Sequence, residues 1–143
     1  MRRSKKNIFL IASFILLCGG GYFYKEYNRK PADISNIEPD VSANATALVE
    51  LYENDEAKAN QQYLGKTIQA TGVIAEINNL QDTLVNVLIG ESNSVHKVSC
   101  LLDIRYLALI RNYRVGQQII IKGICTGYVV DVEMNRCVII EKK

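Results

Sequence analysis

The sequence predicts a mainly β (α+β) domain: a five-stranded Greek-key barrel with an N-terminal helix and a helix between strands three and four, preceded by one transmembrane helix. Three observations predict this arrangement. Five short segments alternate apolar and polar residues, as strands with one buried face do. Gly72 and Gly123 lie within the first and fourth segments, where a small barrel needs its strands to bend. An uncharged apolar stretch follows a basic N-terminus.

The N-terminal segment is expected to be a membrane anchor. Residues 1–7 hold four Lys/Arg, and residues 8–24 hold no charged residue. A helix of that length, rising about 1.5 Å per residue, is near the lower limit for crossing a hydrocarbon core of about 30 Å. Because basic residues beside a span stay in the cytoplasm, we expect a single-pass protein of the bacterial inner membrane with a periplasmic C-terminal domain.

Two other fates of this segment stay open. Cys18 follows Leu17 in a stretch that resembles a lipobox, but the residue before a lipidated cysteine is normally small and leucine is not. Cleavage as an ordinary signal peptide near residues 19–21 is the other alternative, although no A-x-A-like site is present. A lipoprotein is therefore the alternative localisation.

The charge divides unevenly between the anchor and the folded part. Residues 25–41 mix charges with Pro31 and Pro39 and show no periodicity, which predicts an extended linker before a folded domain of residues 42–143. Residues 1–40 hold seven Lys/Arg against four acids, and the rest of the chain holds ten against eleven. The folded part thus carries a charge of about −1. Because phosphate backbones are bound chiefly by cationic surface, nucleic acid is a disfavoured partner.

The domain begins with a predicted helix and continues as strands. Apolar residues at helical spacing before Gly65 predict a helix over residues 43–63. Asp103 is placed to cap a short helix between the third and fourth strands. Five strands with a helix in that place are the plan of the OB-fold. Alternation puts the strands at residues 67–77, 83–89, 96–102 and 117–125, with the fifth starting near residue 129.

Three details of register follow from the alternation. The inward-facing positions switch at Gly72, so that Val73 is expected to face inward after it. Lys122 is taken to mark the solvent side of the fourth strand. A slip at Asn135-Arg136 turns Cys137 inward in the fifth strand.

Several short runs also resemble a known family. They are residues 54–60 (NDEAKAN), 63–66 (YLGK), 71–72 (TG), 115–117 (VGQ), 122–127 (KGICTG) and 131–137 (DVEMNRC). Across about residues 46–140 the chain is similar to the tRNA_anti-like OB-fold family of bacterial envelope proteins. The resemblance implies a five-stranded OB barrel with an added N-terminal helix, behind a lipoprotein signal or a membrane anchor, in a family whose members mostly have no assigned activity.

The cysteines of the domain are Cys100, Cys125 and Cys137, and all three are expected to face inward in an oxidising compartment. The fourth and fifth strands are neighbours in this topology, and the resemblance keeps Cys125 and Cys137, so a disulfide between these two is favoured. Three buried thiols are the alternative. Their spacing does not resemble a zinc knuckle, and no metal site is expected.

The residues that carry chemistry in enzymes are sparse. The one histidine, His96, has no Cys, Asp or Glu at ligand or triad spacing, and the chain has no Gly-rich phosphate loop and no HExxH run. We therefore expect His96 to be structural or exposed, and the protein to be neither an enzyme nor a cofactor binder. Five cations are the candidates for a ligand face: Lys66, Arg105, Arg111, Arg114 and Lys122.

The predicted function is that of a membrane-anchored, extracytoplasmic binding module. It contacts the membrane through residues 8–24 and binds a protein, a peptide or an envelope glycan. The first alternative is a single-stranded nucleic-acid binder, although residues 83–89 and 96–102, where OB barrels present aromatic rings to bases, contain no aromatic residue. The second alternative is a structural or assembly subunit of the cell envelope that self-associates.

Overall fold

The computed structural model describes residues 34–81 and 83–141, and a single sheet organises these residues. Its strands are β1 (Val41–Asn44), β2 (Thr67–Gln81), β3 (Leu84–Ile89), β4 (Val98–Leu102), β5 (Gln118–Tyr128) and β6 (Val132–Ile139). The strand order is β1-β2-β3-β4-β6-β5, and β2 also pairs with β5, which closes β2 to β6 into a barrel. The five-stranded OB-type barrel predicted from the alternation is confirmed. The unpredicted strand β1 runs parallel to β2 at its edge.

Three helices accompany the barrel: α1 (Ala45–Asn54), α2 (Glu56–Tyr63) and α3 (Leu107–Ile110). The single helix predicted over residues 43–63 is two helices, because Asp55 leaves the helical conformation with φ −156° and ψ 83°. Its carboxylate then accepts from the Lys58 backbone N–H at 2.9 Å and caps α2. Asp103 caps the 3₁₀ turn Ile104–Tyr106 before α3, where a cap was predicted.

The inward alternation of β2 differs from the prediction at Gly72. Ile68, Ala70 and Ile74 are fully buried, so the inward positions continue through Gly72 without a switch. Val73, expected to face inward, is 38% exposed. The register shift comes later, where Ile74 pairs with Ile89 and Glu76 pairs with Leu88.

Gly72 and Gly123 are instead required by close approach of neighbouring groups. A Cβ on Gly72 would lie 2.9 Å from the Cβ of Ala45, at the start of α1. A Cβ on Gly123 would lie 2.5 Å from the Sγ of Cys137 on β6. Both distances are too short for carbon atoms in contact, so each glycine lets a neighbouring element pack against its strand.

The slip predicted in the last strand is confirmed. Cys100 of β4 pairs with Met134 of β6, and Leu102 pairs with Cys137, so β6 carries one extra residue between these pairs. Arg136, in this bulge, has a φ of 55°. The extra residue keeps Cys137 in the core.

Residues 34–40, which belong to the predicted linker, lie against β5 and β6, and we call them the strap. Ile34 of the strap is 2% exposed. The Lys122 Nζ donates to the backbone carbonyl oxygens of Ser35 at 2.9 Å and Ile37 at 2.7 Å. Lys122 points outward, as predicted, but the prediction that it meets solvent is wrong: it is 5% exposed because the strap covers it.

The apolar interior fills the barrel and continues beneath α1 and α2. Helix α1 contributes Leu48 and Tyr52, and α2 contributes Ala59 and Tyr63, all of them buried. The barrel contributes mainly β-branched residues from the inward positions of its strands. The described part of the chain therefore has one continuous core, with the two helices as part of it.

The predicted membrane span at residues 8–24 lies outside the described residues, as does Cys18. Within residues 34–81 and 83–141, no helix combines the length and the apolar character that crossing a bilayer requires. The anchor and its alternatives stay predictions from the sequence.

Candidate ligand-binding site

The end of the barrel under α1 and α2 is sealed by aromatic side chains. Tyr52 is 1% exposed, and its ring stacks on Tyr128 with centroids 5.5 Å apart and lies 6.4 Å from the ring of Tyr63. Its hydroxyl lies 3.3 Å from the Sγ of Cys125. Burial raises the pKa of Tyr52 above its ordinary value of 10.0, and the hydrogen bond with Cys125 adds to the rise. The packed rings therefore close this end of the barrel.

His96 fastens two loops beside this sealed end. Its Nδ1 lies 2.5 Å from the backbone carbonyl oxygen of Val130, and its ring meets Tyr128 edge-on at 5.9 Å. Its Nε2 lies 3.9 Å from the Oε1 of Glu53 on α1. Among residues 34–81 and 83–141, no three His, Cys, Asp or Glu side chains gather as metal ligands would. These contacts give His96 a structural role.

The three cysteines are buried thiols, and the predicted disulfide between Cys125 and Cys137 is wrong. The bulge in β6 places Met134 opposite Cys125, while Cys137 lies across from Leu102 and beside Cys100. Cys125 instead contacts Tyr52. Burial raises the pKa of Cys137 well above its ordinary value, and Cys100 adds to the rise, so the thiol is held in its unreactive protonated form.

The opposite end of the barrel is open. An open cleft of about 560 Å³ lies between the ends of β2 and β3 and the segment from α3 to residue 114, and we call it the barrel-end cleft. Ile77 and Asn79 belong to the inward positions of β2, because they pair with Val87 and Val85 of β3, whose side chains are buried. The cleft is lined by Ile77, Asn79, Val85, Leu107, Ile110, Arg111, Tyr113 and Arg114.

Two exposed arginines give the cleft its charge. No carboxylate of residues 34–81 and 83–141 lies within salt-bridge distance of the Arg111 or the Arg114 guanidinium. The Arg114 Nη1 donates to the backbone carbonyl oxygen of Arg111 at 3.2 Å, and the Arg114 backbone N–H donates to the Oε1 of Gln117 at 2.7 Å. These bonds fix the turn after α3, so both guanidinium groups are presented beside an apolar floor.

The structure brings together two of the five cations predicted as a ligand face, Arg111 and Arg114. Arg105 is held by Asp103, with Nε 2.8 Å from Oδ1 and Nη2 3.1 Å from Oδ2. Lys122 is covered by the strap, and Lys66, half-buried at the start of β2, does not line the cleft.

Sequence reasoning missed the three other kinds of group in the cleft. Asn79 lies beyond the predicted end of the first strand, and Tyr113 lies in a loop without periodicity. The aliphatic floor could have been found from the inward alternation of Ile77 and Val85 in two adjacent strands, since such positions at a barrel end are uncovered unless a helix closes it.

The outer face of β3 and β4 has a different chemistry. Asn86 and Ser99 hydrogen-bond each other across this face at 2.9 Å, and Leu88 and Leu101 lie beside them. Exposed Glu76 pairs with Leu88 and exposed Glu133 pairs with Ser99, so carboxylates flank the face on both sides. No outward side chain of β3 or β4 is aromatic or cationic. Bases and phosphates have little to bind here.

A closed five-stranded barrel with a ligand-sized cleft at one end defines a small OB-fold binding domain. A family model described as tRNA_anti-like matches residues 1–139, and the chain belongs to this family. The resemblance noted in the sequence is thereby confirmed. The family is one of OB-fold binding domains and is not a known enzyme family.

This chain is similar to several solved structures at low sequence identity. A "putative nucleic acid-binding lipoprotein" from Klebsiella pneumoniae is similar with a TM-score of 0.58 and 16% identity, over 78% of this chain and 100% of that one. The asparaginyl-tRNA synthetase of Entamoeba histolytica has a TM-score of 0.42 and 16% identity, over 55% of this chain and 21% of that one. The OBody AM1L10 bound to hen egg-white lysozyme has a TM-score of 0.44 and 16% identity, over 57% and 85%. No curated protein sequence matches this chain.

Proposed function

We propose that the protein is a non-catalytic binding module anchored outside the cytoplasm, and that its ligand site is the barrel-end cleft. One observation carries the proposal: an apolar floor and two guanidinium groups that no described carboxylate neutralises meet in one concave site. Ligand sites in proteins are concave, mostly apolar and roughly 300–1,000 Å³ in volume, with a few polar groups that fix orientation. The cleft is concave, its volume falls within this range, and its lining combines aliphatic side chains with a few polar groups.

Single-stranded nucleic acid is the second candidate ligand. It is favoured by Tyr113 beside two arginines, which could stack a base and bind a phosphate, and the Klebsiella pneumoniae protein is named as a nucleic-acid binder. It is disfavoured by the carboxylates Glu76 and Glu133 that flank the outer face of β3 and β4, where OB barrels usually hold single strands. If a nucleic-acid strand were bound only at the cleft, most of its phosphates would lie away from cationic side chains.

The proposed setting is the periplasmic face of a bacterial inner membrane, with residues 8–24 as the anchor. The basic residues 1–7 support this orientation. Alkaline phosphatase fused to the C-terminus should be active, whereas a fluorescent protein that matures only in the cytosol should stay dark. The reverse pattern would contradict the setting. Loss of membrane attachment in Cys18→Ser would identify a lipoprotein instead of a spanning anchor.

Site-specific photo-crosslinking in native membranes tests the site. A benzophenone amino acid is placed at Tyr113, in the cleft, and at Leu101, on the outer face of β3 and β4, as a matched control. We expect an adduct from position 113, absent from position 101 and lost when Arg111→Gln and Arg114→Gln are added. Adducts from position 101 alone would move the site to the β3–β4 face, and no adduct at either position would contradict the proposal.

A further inference from the structure

We infer that the barrel-end cleft binds a peptide segment in which acidic residues flank apolar ones, an inference that rests on the proposed function. The cleft joins an aliphatic floor to unpaired guanidinium groups, and only a ligand with both chemistries satisfies it. A peptide supplies both within a few residues. Each part of the cleft selects a part of that ligand.

The floor is aliphatic and faces inward from the barrel. Val85 and Ile110 are 6% and 3% exposed, and Ile77 and Leu107 are half-buried around them. Branched aliphatic groups bury the apolar side chains of a peptide at about 25 cal/mol per Å², whereas bases bind best on aromatic faces. Since Tyr113 is the one aromatic ring among the lining residues, the floor favours side chains over bases.

The charge at the rim selects a short anionic group. A guanidinium binds a carboxylate through two parallel hydrogen bonds, and Arg105 shows this geometry within the same chain on Asp103. Arg111 and Arg114 have no carboxylate partner among the described residues. Apart from the Arg114 Nη1, which donates to the Arg111 backbone carbonyl oxygen, their donors therefore remain for a ligand. The folded part carries a charge of about −1, so it offers a polyanion no continuous cationic track, while one or two carboxylates find their full partners in the cleft.

The remaining polar group suits a peptide backbone. Asn79, exposed at the end of β2, carries an amide that both donates and accepts hydrogen bonds, as a peptide group requires. Its chain neighbour Leu80 is 59% exposed, and Val115, which follows Arg114, is 60% exposed. Exposed apolar side chains thus follow a lining residue on each side of the cleft. They offer apolar surface to a peptide that extends beyond the cleft.

The test uses the full chain in nanodiscs and a displayed library of random short peptides as the probe. We expect selected peptides to be enriched in Asp and Glu next to aliphatic or aromatic residues. A synthetic selected peptide should bind about tenfold or more weakly to the Arg111→Gln, Arg114→Gln protein, because each arginine removes charge-assisted hydrogen bonds. Replacing its acids by Asn and Gln should weaken binding equally, with no further loss in the arginine variant.

The matched control is Lys58→Gln with Arg105→Gln, which removes the same formal charge away from the cleft and should leave the affinity within about twofold. The inference would be overturned if the selected peptides were not enriched in acidic residues, or if their affinity did not depend on Arg111 and Arg114. So would binding of oligo-dT that outcompetes the peptide and falls with salt. If the crosslink at position 113 persists while acidic peptides fail, the proposed function stands and this inference alone is wrong.

Discussion

The two ends of the barrel are built from the same kind of strand but closed to different degrees. At one end, α1 and α2 cover the strands with Leu48, Tyr52 and Ala59, and the Tyr52 hydroxyl contacts the Cys125 thiol. At the other end α3 has a single turn and leaves inward-facing Ile77 and Val85 lining an open cleft. The contrast teaches that the length of the helices covering each end decides which end of this barrel is closed core and which end is an open site.

The two ends also differ in electrostatics. The sealed end has a tyrosine that stays protonated because it is buried. The open end has two exposed guanidinium groups that no described carboxylate neutralises. Stability is therefore expected to reside at the first end and recognition at the second, and four substitution experiments test that division.

The largest expected effect comes from Tyr52→Ala. Removing a fully buried ring from the sealed end should lower the free energy of unfolding by about 3–5 kcal/mol. The matched change Tyr113→Ala at the open end should cost under about 1 kcal/mol, since that ring is only half-buried. Urea denaturation of both variants measures the difference, and equal losses would erase the distinction between the ends.

Gly72→Ala should have the next largest effect. The added Cβ would lie 2.9 Å from the Cβ of Ala45, so α1 must shift, at an expected cost of about 1–3 kcal/mol. Ala45→Gly in the same protein removes the opposing carbon and should restore part of the loss. If Ala45→Gly does not relieve the destabilisation, Gly72 is required for a reason other than the packing of α1.

Alkaline pH should weaken the sealed end specifically. In the unfolded chain Tyr52 ionises near its ordinary pKa of 10.0, whereas burial raises the pKa in the folded protein. The folded state then binds more protons, so the contribution of Tyr52 to the free energy of unfolding is intact below about pH 10 and falls as pH rises above it. Tyr52→Phe should flatten that fall, at a cost of about 1 kcal/mol at neutral pH for the lost hydrogen bond to Cys125. Identical pH slopes in the two proteins would contradict the assignment.

The smallest effect on stability is expected at the open end. Arg111→Gln with Arg114→Gln should change the free energy of unfolding by less than about 0.5 kcal/mol, since both side chains are exposed and neither pairs with a described acid. Thermal unfolding measures it. A larger loss would mean that the arginines hold α3 in place and that any loss of binding in this variant is indirect.

Much of the fold could be predicted because it depends on local patterns. Alternation identified each strand of the barrel, and the slip at Asn135-Arg136 is visible as a break in that alternation. Asp103 was identifiable as a cap because its side chain acts only two residues along the chain. The start of β6 was placed three residues early, because Val129 and Val130 continue the apolar pattern into an exposed turn.

Contacts between segments distant in the sequence could not be predicted from local sequence patterns. Lys122 binds the backbone carbonyl groups of Ser35 and Ile37, and backbone acceptors leave no trace in side-chain chemistry. The neighbouring strands of Cys125 and Cys137 were predicted correctly, but the bulge shifts one relative to the other and separates the thiols. Most of the candidate site was missed for the same reason, since Asn79 and Val85 meet the predicted Arg111 only when the barrel closes.

Strand β6 lies between β4 and β5 and is also the last element of the described chain. Until it is in place, both of these strands present unpaired N–H and C=O groups, and the thiol-lined interior lies open to oxidants. A partly synthesised chain therefore gains little stability by folding one segment at a time. Maturation is expected to be all-or-none, completed only after Ile139 has been released, with truncations before Val132 left prone to aggregation and proteolysis.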